Sequence, residues 1–213
     1  EVSPLPMFAV GYKDLIFLEG PKLGANLLNV EGPGPGDYLR AGPLLNYRFG
    51  RDQGDNDALR GLGDVDGSVE AGAFVEYGIR GFTVGATALQ DVSDGHGGLT
   101  VEFQGGYSHQ FDEHWFVQAG VSATWADDDY VQSYFGINAS QALRSGYRQY
   151  SPEAGFKDVG LSAALGYALT ENWSVTGRVG YSRLLGDAAD SPIVDQEGSA
   201  NAYEAGVFVG YRF

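Results

Sequence analysis

The chain has 213 residues, 43% hydrophobic and 19% charged, which fits one folded domain over residues 1–213. Its 28 acidic residues against 13 basic ones give a net charge of −15, which excludes a nucleic-acid binder held by clustered cations. An apolar run of about 18 residues, as a membrane-spanning helix needs, is absent, whereas 33 glycines, 13 tyrosines and 12 phenylalanines favour an all-β fold.

Strand-like runs follow one another along the chain. They lie near residues 5–12, 14–20, 22–30, 38–49, 67–79, 81–91, 98–111, 114–126, 155–169, 172–184 and 201–213. Single-chain bacterial barrels use even strand numbers. Either an N-terminal strand is missing from this sequence, or two early runs form one long strand. We therefore expect an antiparallel transmembrane up-and-down β-barrel with twelve strands in the parent protein, and ten as the alternative.

From the fourth run onwards, these runs have an apolar residue at every second position, which is typical of strands with one apolar face. The first such row is Leu39, Ala41, Pro43, Leu45, Tyr47 and Phe49. The opposite face carries charges, which a packed soluble core would hold only at a high desolvation cost. We predict that a wet barrel lumen holds Arg40, Arg48, Glu70, Glu76, Glu102, Arg178, Glu204 and Arg212. They line a selective pore or pair across the lumen and close it; the second interpretation is favoured.

Aromatic residues bracket these apolar rows. In the run near 114–126, Trp115 and Trp125 are ten residues apart on one face. Ten tilted strand residues rise roughly 25 Å, the height of the apolar band between the aromatic girdles of an outer-membrane barrel. We predict a lipid-facing girdle made of Trp115, Trp125, Trp173, Tyr181, Tyr203, Tyr211 and Phe213. A soluble barrel with an apolar interior would instead bury Trp115 and Trp125.

The connections alternate in length, as hairpins around a barrel require. Residues 111–115 and 169–173 are short, and residues 127–152 and 186–201 are long. We assign the short turns to the periplasm and the long loops to the outside, which leaves Phe213 at the periplasmic side. Tyr134 and Phe135 interrupt a polar loop, and we expect them to pack that loop over the barrel mouth rather than form a protein-binding patch.

Two chemical interpretations of polar residues are weaker. Aspartates cluster in the loops, where they could bind Ca²⁺ or bridge to lipopolysaccharide through a divalent cation. No cluster completes a twelve-residue calcium loop, so we favour the interpretation that these loops are simply solvated. His96 with Ser145 or Ser191 is a candidate hydrolase pair, yet no G-x-S-x-G motif is present. Three scattered histidines without cysteine give no zinc spacing. We predict no catalytic residue, no metal and no cofactor.

Four segments resemble one known family. They are RGLGDVDGSVEAGAFVEY (residues 60–77), YFGINASQALRSGYRQYSPEAG (134–155), YSRLLGDAADSPIV (181–194) and the terminal YRF. They look like the MipA/OmpV family of Gram-negative outer-membrane proteins. The resemblance implies an outer-membrane barrel; the name-giving member is described as linking a lytic murein transglycosylase to a murein synthase, and others as adhesion-related or porin-like. Members usually have a glycine-rich first strand before the segment resembling PLPMFAVGY.

The sequence thus favours an integral outer-membrane barrel that acts as a non-enzymatic scaffold of the cell envelope, with outer-membrane lipids and lipopolysaccharide around it. The resemblance implies peptidoglycan-remodelling enzymes as partners, and we expect them at the periplasmic turns. The alternatives are a small porin-like channel, a surface adhesin or a lipase-like enzyme. The sequence shows no signal peptide, which we take as already removed or not included.

Overall fold

The computed structural model describes residues 9–211, which form antiparallel strands and a few short helices. The strands are β1 (Ala9–Tyr12), β2 (Ile16–Glu19), β3 (Lys22–Ala25), β4 (Leu28–Glu31), β5 (Tyr38–Arg48), β6 (Ser68–Ile79), β7 (Phe82–Asp91), β8 (Leu99–Gln110), β9 (Trp115–Ala126), β10 (Gly155–Ala168), β11 (Trp173–Leu184) and β12 (Asn201–Tyr211). The α-helices are α1 (Asp128–Phe135), α2 (Ala139–Ser145), α3 (Gly186–Ala189) and α4 (Pro192–Glu197). None of the helices within residues 9–211 has the length and apolar character to cross a membrane.

The twelve strands form one up-and-down antiparallel sheet. β3 and β4 both pair with β5, through Lys22 opposite Asn46 and Leu28 opposite Ala41, so they are one strand with an interruption. With β3 and β4 counted as one, eleven strands lie side by side from β1 to β12. This number differs from the ten-strand alternative. β1 and β2 pair as a hairpin and do not join into one long strand. In the described range, no pairing joins β1 to β12.

The sheet curls around a polar interior, since one cavity is lined by residues from β6 through β12. On the inner face, the ring centroids of Phe17 in β2 and Phe74 in β6 are 5.4 Å apart although β3 and β5 lie between these strands. The fold class predicted from the alternating pattern is confirmed: all-β, antiparallel, with the curled sheet of an up-and-down barrel.

The apolar rows lie on the outer face of this sheet. Val121 pairs with Gly105 on one side and Leu161 on the other, and both Val121 and Leu161 are more than half exposed, at 56% and 58%. Val207 in β12 is 76% exposed. A soluble protein rarely leaves so large a contiguous apolar surface in water. The soluble-barrel alternative is contradicted, because Trp115 is 41% exposed.

The hairpin turns at the short-connection end are tight. Arg80 and Gly81 join β6 to β7 with positive φ angles of 51° and 83°, the pattern of a type I′ turn. A Cβ atom on Gly81 would lie 2.5 Å from the carbonyl oxygen of Ser108, so the turn needs glycine there. We call this end of the sheet the short-turn end, and the opposite end the long-loop end.

Candidate functional site: a polar lumen closed by a loop cap

The predicted lumen charges share the inner face of the sheet. The pairing registers give the same face to Arg40, Arg48, Glu70, Glu76, Glu102, Arg178 and Glu204. Arg212 of the predicted lumen set and Phe213 of the predicted girdle lie outside the described residues. A single face with both signs of charge is what a water-filled barrel interior holds at low cost.

The charges pair between neighbouring strands rather than across the lumen. Arg40 Nη2 lies 3.0 Å from Glu76 Oε1, and Arg48 Nε lies 2.7 Å from Glu70 Oε1; both pairs join β5 to β6. Arg178 and Glu204 join β11 to β12 at a longer 3.7 Å. These three ion pairs therefore do not bridge opposite walls of the lumen, as the favoured interpretation of the sequence expected.

Glu70 lies at the centre of a buried network at the long-loop end. Its side chain is fully buried, and it accepts hydrogen bonds from Asn46 Nδ2 at 2.6 Å, Arg48 Nε at 2.7 Å and His96 Nε2 at 3.0 Å. The backbone N–H of Gly98 donates to His96 Nδ1, so the ring proton lies on Nε2. Both ring nitrogens of His96 are thus occupied, which leaves none free to activate a serine, as the hydrolase interpretation requires.

Asp91 holds His96 in this position. Asp91 Oδ2 accepts the backbone N–H groups of His96 at 2.7 Å and Gly97 at 2.8 Å, and Oδ1 accepts that of Ser93 at 2.8 Å. The loop between β7 and β8 therefore folds inward over β6. Asp91 was not predicted from the sequence; the signal for it is the glycine-rich SDGHGG segment close after a strand that ends in this carboxylate.

Helix α1 covers the network from above. Tyr130 is 5% exposed, its ring meets His96 edge-on at 4.9 Å, and its hydroxyl lies 3.4 Å from Arg48 Nη1. Tyr134 packs against Tyr130 with ring centroids 4.8 Å apart. Asp127 caps the helix by accepting the N–H of Tyr130 at 3.0 Å. The expectation that aromatic residues pack this loop over the barrel mouth is confirmed.

Three long loops interlock around α1. Arg51 Nη1 donates to the carbonyl of Tyr134 at 2.6 Å, and the hydroxyl of Ser191 donates to the carbonyl of Phe135 at 2.7 Å. Tyr150 donates to the carbonyl of Asp187 at 2.8 Å. A buried hydrophobic cluster of Ala126, Tyr130 and Val131 lies inside this structure. We call residues 49–67, 92–98, 127–154 and 185–200 together the cap.

Burial in the cap shifts the pKa values of its side chains. Burial, together with a smaller contribution from the neighbouring Tyr130, raises the pKa of Tyr134 to about 12. Burial also raises the pKa of Tyr130 and lowers the pKa of Arg51. Each shift disfavours the charged form of the group, which is the mark of an interior from which water is excluded. The pKa shifts thus agree with the burial of Tyr130 and the partial burial of Tyr134 and Arg51 in the cap.

The described girdle residues lie on the outer face in two bands of contacting rings. Trp173 and Tyr211 are 4.8 Å apart at the short-turn end, and Tyr181 and Tyr203 are 5.2 Å apart towards the long-loop end. Trp115 contacts Tyr167 at the short-turn end. Trp125 is half-buried. Their contact with lipid headgroups stays a prediction.

The short turns between β8 and β9 and between β10 and β11 are neighbours. Asp112 Oδ1 accepts the backbone N–H groups of Trp115 and His114 at 2.8 Å, and these bonds hold the pKa of Asp112 below its usual range. Thr170 closes the other turn by accepting the N–H of Trp173 at 3.0 Å. The exposed carboxylates of Glu113 and Glu171 lie beside them. This surface is polar, acidic and ordered by its own turns.

The aspartates of the long loops mainly shape the backbone. Asp64 accepts the N–H of Gln53, Asp128 that of Ala154 and Asp187 that of Glu153. Across residues 9–211, histidines and carboxylates form no group of three suited to a metal ion.

Comparison with known proteins places these features in context. The profile of the family described as MltA-interacting protein MipA matches residues 1–213. MltA-interacting protein of Escherichia coli K12 is 27% identical over 154 residues, which cover 70% of this chain and 59% of that protein. Outer membrane protein OmpV of Vibrio cholerae serotype O1 is 29% identical over 223 residues, covering 96% of this chain and 84% of OmpV. Putative outer membrane protein YiaT of Escherichia coli O157:H7 is 30% identical over 151 residues, covering 70% and 60%.

Proposed function

The chain belongs to the family of MltA-interacting protein MipA, and on that premise we propose that it is a non-enzymatic docking protein of the cell envelope. It is an outer-membrane protein of a Gram-negative bacterium, as are its relatives by name. The proposed partner is a peptidoglycan-remodelling enzyme of the periplasm, in line with the name of the Escherichia coli relative.

The observation that carries this proposal is the difference between the two ends of the molecule. The long-loop end is closed by the cap, in which polar groups and rings of the loops satisfy one another. Within residues 9–211 the short-turn end instead consists of tight turns, ordered through Asp112 and Thr170, that present the exposed carboxylates of Glu113 and Glu171. Preformed turns reduce the ordering cost of binding a partner.

A binding assay with charge-reversed turns tests the docking role. The purified protein in detergent is assayed against a purified murein transglycosylase, first unchanged and then as the double variant Glu113→Lys with Glu171→Lys. The control reverses Asp55 and Glu197, which are exposed at the other end. We expect the short-turn variant to lose about tenfold in affinity and the control to bind normally. Equal binding by both variants, or no binding by the unchanged protein, would contradict the proposal.

A small diffusion channel is the second candidate, because the lumen contains a polar cavity of about 410 Å³. The cap stands against it, since loops and α1 cover one mouth of the lumen with buried groups. The two functions differ in whether the unmodified protein conducts ions.

A further inference from the structure

Arg183 is an isolated cation on the outer face of the sheet. Among the paired outer-face positions described in β5–β12, it is the single ionised side chain, and the others are apolar, aromatic or neutral. Arg183 is exposed and lies opposite Val159 of β10 and Asn201 of β12. A charge on the lipid-facing side of a barrel is costly at the membrane centre and is tolerated near the membrane surface.

The position of Arg183 along β11 corresponds to a membrane interface. Trp173, at the start of β11, lies on the same face and contacts Tyr211 at the short-turn end. The ten residues from Trp173 to Arg183 rise roughly 25 Å in a tilted strand, which is the height of the apolar band of an outer-membrane barrel. Arg183 is therefore level with lipid headgroups at the long-loop end. Since the long loops are assigned to the outside, these headgroups belong to the leaflet that contains lipopolysaccharide.

Neighbouring polar groups hold the Arg183 guanidinium in place. Its Nη1 donates to Asn201 Oδ1 at 3.1 Å, and that oxygen also accepts the hydroxyl of Tyr181 at 2.7 Å. The Nε and Nη2 groups form no hydrogen bond, and the guanidinium forms no ion pair, with any residue in the 9–211 range. A guanidinium that is fixed at one nitrogen and has its other donors free matches the oxygens of a phosphate group.

An exposed aromatic pair lies next to this guanidinium. Tyr181 and Tyr203 occupy the adjacent outer-face row of β11 and β12, with ring centroids 5.2 Å apart. Tyr203 is 79% exposed. A tyrosine at this depth offers an apolar ring to acyl chains and a hydroxyl to headgroup oxygens. We call Tyr181, Arg183, Asn201 and Tyr203 together the rim patch.

From this arrangement we propose that the rim patch binds a phosphate group of lipopolysaccharide. The guanidinium of Arg183 contacts the phosphate, and the rings of Tyr181 and Tyr203 contact the adjoining sugar and acyl chains. The missing counter-charge favours a phosphate: the chain has a net charge of −15, yet no carboxylate of residues 9–211 lies within ion-pair distance of Arg183. The contact is direct and needs no divalent cation. This inference rests on the orientation with the long loops outside, and it goes beyond the docking role of the short turns.

Native mass spectrometry of the detergent-solubilised protein tests this site, because it counts the lipids bound to each molecule. Three lipids are compared in the presence of EDTA: bisphosphorylated lipid A, the same lipid A without its phosphates, and phosphatidylglycerol. We expect one lipid A to bind saturably. Removal of the phosphates should weaken binding about tenfold, because a charge-assisted contact is lost. Phosphatidylglycerol should also bind more weakly, because it has no sugar to contact the tyrosine rings.

Variants then assign the phosphate contact to Arg183. Arg183→Gln should bind lipid A about tenfold more weakly and lose the preference for the phosphorylated form. Asn201→Asp should act in the same way, because a carboxylate beside Arg183 occupies the guanidinium and repels phosphate. Arg183→Lys keeps the charge without the planar fork and should retain part of the affinity. Arg178→Gln is the matched control, since it makes the same change on the inner face of β11, and it should bind lipid A normally.

Four results would overturn the inference: no saturable binding of lipid A by the unchanged protein in EDTA, equal binding of phosphorylated and dephosphorylated lipid A, equal affinity for phosphatidylglycerol, or normal binding by folded Arg183→Gln. A cation bridge through the loop aspartates predicts the first result, because EDTA removes the bridging ion. Folding of each variant is checked by the electrophoretic shift of the barrel on heating. The outcome is separate from the docking role, because Arg183 does not lie on the short turns.

Discussion

At the residue scale, Glu70 joins the barrel wall to the cap. It is fully buried and is surrounded by donors from one neighbouring strand, Asn46 and Arg48, and from one loop, His96. A buried carboxylate is tolerated when its partners are all in place, and removal of one member leaves the others without compensation. This residue is therefore a structural centre rather than a pore-lining charge.

We predict that Glu70→Ala lowers the free energy of unfolding by about 3 to 5 kcal/mol, because the partly buried Arg48 then loses its carboxylate and the buried Asn46 and His96 lose their acceptor. Urea unfolding in lipid vesicles measures the loss. Glu204→Ala is the control, since Glu204 is 68% exposed and an exposed pair contributes only about 0 to 1 kcal/mol. Equal losses in the two variants would mean that the network does not hold the fold.

Tyr134 gives the cap a dependence on alkaline pH. Its pKa is about 12 in the folded protein against 10.0 for an ordinary tyrosine. A raised pKa means that the folded state keeps its proton longer, so this stabilisation is complete below pH 10 and is lost as pH rises towards 12. The difference in tyrosinate absorbance between the unchanged protein and Tyr134→Phe should titrate near pH 12. A component that titrates near pH 10 would show that Tyr134 is in water.

At the element scale, the strands and the packing of Tyr134 and Phe135 over the barrel mouth were predictable, and the buried network beneath the cap was not. The faces of β9 follow from local alternation, because a period of two residues needs no knowledge of the rest of the chain. The contact of His96 with Glu70 depends on a loop 26 positions away that folds inward, and nothing in the local pattern encodes that direction. The sequence therefore identified the inner-face charges, but it did not separate Glu70, which is buried under the cap, from Glu102, which is unpaired.

Helix α1 depends on its N-terminal cap. Asp127→Ala removes the acceptor for the N–H of Tyr130 and should cost about 1 kcal/mol of helix stability. We expect faster proteolysis within residues 127–154 while the strands stay intact. Asp129→Ala, in the first turn of the same helix, is the control and should change the rate little. Equal cleavage rates in the two variants would argue against capping.

At the scale of the whole molecule, the two ends of the sheet differ in how they are covered. The cap shields the lumen at the long-loop end, and the short turns present ordered carboxylates at the other. This asymmetry supports the proposed docking protein over an open pore, with its proposed partner at the short-turn end.

Ion conductance tests the closure. In planar bilayers the unchanged protein should show no steady open-channel current, because the cap fills the mouth. Removal of residues 128–150 should produce a conductance selective for cations, since carboxylates outnumber basic groups around the cavity. Steady current of the same size before and after the deletion would show that the cap does not seal the lumen.

The central claim is that the apolar rows face lipid and the charged rows face the lumen. The sequence contains no cysteine, so single cysteines can be placed along β9 from Val117 to Thr124 without background. A fluorophore attached at each position is exposed to brominated lipids. Strong quenching at 117, 119, 121 and 123 and weak quenching at 118, 120, 122 and 124 is the predicted result. Quenching that does not alternate, or that is strong at the even positions, would contradict the account.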